Sequence, residues 1–143
     1  MCGGWRLDEQ DINTYRTEGL LKSRFRIPDE QLGRMRDSLE KLLRDNAEIA
    51  AETLVCPHIP YGRNHDESAA ARWLEYARHP GILDLVEQLI GPDIILWGSQ
   101  VFCKPPLTGK AIPWHQDGQY CPIRPIANCS VWIALDDALP ENG

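Results

Sequence analysis

The sequence lacks any apolar run long enough to cross a membrane, and its Met-Cys-Gly-Gly-Trp-Arg-Leu start carries no apolar core of signal-peptide length. The expectation is a cytoplasmic protein without a membrane partner. It also lacks a basic run: Lys and Arg number 15 against 21 Asp and Glu, for a net charge of -6 at pH 7. That balance argues against a nucleic-acid surface, which needs clustered positive charge to displace counterions from phosphates. Paired CxxC motifs are missing as well, and the five cysteines (Cys2, Cys56, Cys103, Cys121 and Cys129) are odd in number and irregularly spaced. A zinc or redox motif is therefore not indicated, and reduced thiols are expected. Nor is there a disordered or collagen-like bias, because 43% hydrophobic and 25% charged residues are the proportions of a globular domain. A length of 143 residues suits one such domain.

What is present begins with helical periodicity. Asp8 is placed to cap a short helix carrying Ile12 and Tyr15, with Gly19 at its end. After Pro28, acidic Asp29 and Glu30 suit a first turn, and Leu32, Met35, Leu39, Leu42 and Leu43 recur at the intervals of an amphipathic helix. Residues 47–65 read as loop, since Cys56-Pro57-His58-Ile59-Pro60-Tyr61-Gly62 is broken by proline and glycine. Ala69, Trp73, Tyr76 and Ala77 define a third helical face. Ile82, Leu85, Val86, Leu89 and Ile90 define a fourth, which Gly91-Pro92 stops.

The pattern then changes. Ile94 to Cys103 is apolar and β-branched near its start without a helical stripe, Ile112 to Gln116 reads as extended, and Ser130 to Leu135 as a third strand. Helices followed by strands indicate an α+β arrangement or a helix-buttressed β-barrel. Asn142-Gly143 is a preferred hairpin turn directly after a strand. An edge strand without a partner leaves its backbone groups unpaired, so the expectation is a truncated chain, cut before its partner strands; a true terminus at Gly143 is the alternative.

Chemistry concentrates in Trp114-His115-Gln116-Asp117-Gly118. In an extended chain residues two apart point to the same side, so His115 and Asp117 can face one metal. An imidazole and a carboxylate, joined by one distant histidine, form the facial triad of non-haem Fe(II) oxygenases. An isolated His-x-Asp can equally be a surface pair, or a histidine oriented by hydrogen bonding.

The context is more specific. Lys104-Pro105-Pro106, the stretch from Trp114 through Gly118-Gln119-Tyr120, Pro122-Ile123-Arg124-Pro125, Val131-Trp132-Ile133-Ala134-Leu135-Asp136-Asp137 and Pro140-Glu141-Asn142-Gly143 together resemble the phytanoyl-CoA dioxygenase family. The resemblance extends at lower specificity back to about Asp8. It implies one partial domain over 1–143: a mainly helical buttress at 8–92, and at 93–143 the first strands of a double-stranded β-helix, the cupin-like jelly roll. It further implies Fe(II) as cofactor, held by His115 and Asp117, with 2-oxoglutarate and O2 as cosubstrates and a small organic or acyl molecule as substrate. Gln100 and Trp132 fall at positions that contact 2-oxoglutarate. Lys104 and Arg124 are candidates for attracting an anion, whereas the family pattern does not use His58, His65 and His79 as ligands. The family's second iron-binding histidine and its cosubstrate arginine come after the Glu-Asn-Gly turn, and this sequence contains neither, so the 143-residue chain is expected to be weakly active or inactive. Two other readings remain beside the oxygenase: a non-catalytic pseudoenzyme or interaction module, and a cupin-like metal protein without 2-oxoglutarate chemistry.

Overall fold

A computed structural model describes residues 4–51, 56–59, 67–119, 122–125 and 127–142. His65 and Gly143 lie outside the described residues, and with them the proposed hairpin turn. Among the described residues there are four α-helices: α1 (Glu9–Glu18), α2 (Asp29–Asp45), α3 (Glu67–Ala77) and α4 (Pro80–Ile90). All four coincide with the faces expected from periodicity.

The chain divides into two compact units. One comprises Met1–Arg26, Arg78–Ile95 and Trp114–Trp132, and contains α1 and α4. Here the Asp8 carboxylate accepts from the Asp11 N–H at 2.8 Å while Asp11 accepts from the Asp8 N–H at 3.3 Å, a reciprocal cap that satisfies donors helix formation leaves free. Gly19 ends α1 with φ 74°, a left-handed conformation open to glycine at no steric cost. On α4, Pro80 occupies the first turn and the His79 ring nitrogen accepts from the Gly81 N–H at 3.0 Å. Gly81 is required there: a Cβ would stand 2.5 Å from the Phe25 ring. Trp5 meets Phe25 edge-on at 5.3 Å, and the Gln88 amide grips the preceding segment, accepting from the Leu7 N–H and donating to the Trp5 carbonyl, each at 2.9 Å. Ile82 and Val86 are the buried face of α4, and α1 contacts that helix.

The other unit comprises Ile27–Ala77, Leu96–Pro113 and Ile133–Gly143. Its core joins Met35 and Leu42 of α2 to Trp73 and Tyr76 of α3 and to Val101, with Ile27, Leu39, Leu43, Cys103, Ile133 and Leu135 packed against them. Each large apolar side chain so buried contributes about 1.5–3 kcal/mol. The Tyr76 hydroxyl keeps a partner while its ring is buried, lying 3.0 Å from Ser38 Oγ and donating to the Arg34 carbonyl at 3.2 Å. Arg36 donates to the Leu135 carbonyl at 2.7 Å, tying the C-terminal segment to α2.

The strands expected at 94–103, 112–116 and 130–135 are not formed. Among the described residues there is no strand, and Gln100 makes only an isolated bridge. The physical reason is that a helix closes its hydrogen bonds within itself, whereas a strand requires a neighbouring backbone. In place of a hairpin entry, Pro140–Asn142 forms a 3-10 turn. The structure thus carries the helical half of the α+β expectation, while the β half has the sequence pattern without the ladder.

Candidate metal centre

His115 and Asp117 come together, although by a different local geometry from the one expected. Asp117 opens a 3-10 turn, Asp117–Gln119, closed by the Gln119 N–H donating to the Gln116 carbonyl at 3.1 Å. The turn, in place of strand alternation, brings His115 Nε2 to 3.3 Å from Asp117 Oδ1. Two donors at right angles on a metal, with bonds of about 2.1 Å, are separated by about 3.0 Å, so the pair needs only a few tenths of an ångström to serve as adjacent ligands. The side chains are 38% and 49% exposed, open enough for an ion to enter. Among the described residues no group of three His, Cys, Asp or Glu side chains converges, and His115 and Asp117 are brought together as a pair.

The second oxygen of Asp117 is also occupied: Ser130 Oγ donates to Oδ2. Ser130 was not singled out from the sequence. A serine at the head of an apolar stretch carries no sequence signal for a bond to a carboxylate 13 positions away. Next to it, Cys129 meets Tyr15 of α1, whose phenol is pushed up to about 12, by burial first and then by hydrogen bonding to the thiol. Cys56, Cys103 and Cys129 form no disulfide.

Trp132 is 65% exposed, within the same unit as His115 and Asp117. Gln100 belongs to the other unit and is likewise exposed. Beside it, Ser99 is held twice by the loop at 56–58: its carbonyl accepts from the Cys56 N–H, and its hydroxyl lies against His58 Nδ1, each at 2.7 Å. Burial pushes the His58 pKa down. Both His58 and His79 therefore have structural partners. Arg124 donates to the adjacent Ile123 carbonyl at 2.7 Å, which engages one end of its guanidinium locally.

The phytanoyl-CoA dioxygenase family model matches residues 15–143, and the chain belongs to that family. A probable phytanoyl-CoA dioxygenase of Caenorhabditis elegans is 27% identical across 96% of this chain and 50% of its own length. The human peroxisomal phytanoyl-CoA dioxygenase is 28% identical across 90% of this chain and 43% of its own. A phytanoyl-CoA dioxygenase domain-containing protein 1 of Danio rerio is 39% identical over 57 residues, 39% of this chain and 19% of its own. The chain thus spans about half the length of the first two relatives. No solved structure matches it.

Proposed function

We propose that the chain is the front part of an Fe(II)- and 2-oxoglutarate-dependent oxygenase acting on a small organic or acyl substrate. The observation that carries this is the approach of His115 Nε2 to Asp117 Oδ1 at 3.3 Å, in a family whose relatives are named as dioxygenases. Bound Fe(II), with 2-oxoglutarate and O2, supplies the oxidising chemistry. His115 offers the lone pair of Nε2, and Asp117 offers one carboxylate oxygen whose charge offsets that of the ion. Trp132 and Gln100 are proposed as the contacts of 2-oxoglutarate, the indole as an apolar wall and the amide as a hydrogen-bonding group. In this proposal the unladdered segments are the first strands of a double-stranded β-helix, completed by the part of the family's length that the chain does not span.

A non-catalytic interaction module is the second reading, favoured by the exposure of Ile95 at 89% and Trp97 at 69%, side chains suited to a partner surface. Fe(II)-dependent conversion of 2-oxoglutarate to succinate by the full-length protein separates the two. The oxygenase produces succinate only with the metal present, and the module produces none.

A further inference from the structure

The two oxygens of Asp117 have different neighbours. Oδ1 faces His115 Nε2, and Oδ2 accepts the Ser130 hydroxyl from a segment 13 residues further along the chain. An aspartate at the start of a short turn, half exposed, has a broad two-fold torsion at its carboxylate and exchanges its oxygens readily. Left free, it can chelate an ion with both oxygens or turn toward water. Occupying Oδ2 with a hydroxyl donor disfavours both alternatives, because it engages a lone pair of the oxygen that chelation would use and a carboxylate turned to water loses the bond. The hydroxyl engages the carboxylate oxygen that the histidine does not, which leaves Oδ1 toward Nε2, where a shared ion would sit.

We infer that Ser130 is a positioning residue that holds Asp117 as a one-oxygen metal ligand, with Oδ1 committed to the ion and Oδ2 to the hydroxyl. This rests on the assignment of His115 and Asp117 as metal ligands. Ser130 touches neither metal nor substrate, and acts only by presenting the carboxylate.

The test is equilibrium titration of the full-length protein with Co(II), a redox-stable stand-in for Fe(II), following its visible ligand-field spectrum. Loss of an outer partner of a metal ligand typically weakens binding by about 10–100-fold, and Ser130→Ala is expected to fall in that range with an altered spectrum. Ser130→Thr keeps a hydroxyl and is expected to bind within a few-fold of the natural protein, a rescue that a purely structural role would not produce. Asp117→Ala identifies which claim fails. If Asp117→Ala loses binding while Ser130→Ala matches the natural protein, the role of Ser130 is overturned and the ligand assignment stands. Equal weakening of the Thr and Ala variants also overturns it. If Asp117→Ala binds Co(II) undiminished, the ligand assignment falls and takes the inference with it.

Discussion

Residues 9–90 and residues 94–142 differ in where their side chains and backbone groups go. In the first region four helices close their own hydrogen bonds and put Trp73 and Tyr76 at 8% and 6% exposure. In the second, Ile95, Trp97, Trp114 and Trp132 stand at 89%, 69%, 103% and 65%. Backbone bonds within the second region are local, such as Gly109 to Pro105 at 3.0 Å and Asn142 to Leu139 at 3.2 Å. Apolar content does not separate the regions, since both are rich in large side chains. What separates them is that a helix needs only a surface to pack on, while a strand also needs another strand. Val101, Cys103, Ile133 and Leu135 show the intermediate case: they join a helical core as single extended segments.

The largest expected effect sets two tryptophans against each other. Trp73→Ala empties a buried site and is expected to cost about 3–5 kcal/mol by denaturant unfolding. Trp97→Ala removes an exposed ring and should cost less than about 0.5 kcal/mol. Equal losses would mean that the second region is as well packed as the first, and the contrast would fail.

A smaller effect comes from the α1 cap. Asp8→Ala removes an acceptor for the Asp11 N–H and a partner of Arg24, and should lower the melting temperature by a few degrees. The Asp8 pKa is held below its ordinary value of 3.8, by the Asp11 backbone bond first and then by Arg24. Its folded form therefore binds the proton less readily than the unfolded chain, so the contribution is present above pH 3.8 and lost as pH falls through the lowered value. The melting difference between the natural protein and Asp8→Ala should shrink on acidification in that window; a constant difference would remove the cap's electrostatic part.

A third effect lies at alkaline pH. Because the Tyr15 phenol holds its proton up to about 12 in the folded protein, against 10 ordinarily, stability should decline as pH rises from 10 toward 12. Tyr15→Phe should remove that part of the slope, leaving the rest of the alkaline decline intact. An unchanged slope would mean that burial does not hold the Tyr15 proton as described.

Much of the helical region was legible in the sequence because each signal is local: Asp8 before a periodic stretch, Gly19 and Gly91 after one, and apolar residues at helical spacing on α2 and α4. The grip of Gln88 on the segment at 5–7 was not legible, since it joins residues more than eighty positions apart. The site divides in the same way. His115 and Asp117 are two residues apart and are proposed as ligands from their spacing and family context, and a turn, not an extended chain, brings them together. Ser130 lies 13 positions from Asp117, and a serine at the head of an apolar stretch announces no bond to a carboxylate. Gln100 and Trp132 are proposed from the resemblance alone.

The most direct test of the central claim is Fe(II)-dependent conversion of 2-oxoglutarate to succinate by the full-length protein, comparing the natural sequence with His115→Ala and Asp117→Ala. Removing a metal ligand is expected to cost more than the roughly 10–100-fold typical of an outer-shell partner, so each variant should fall at least 100-fold. Succinate formation that is sustained in either variant would contradict the assignment of these two side chains as the metal-holding pair.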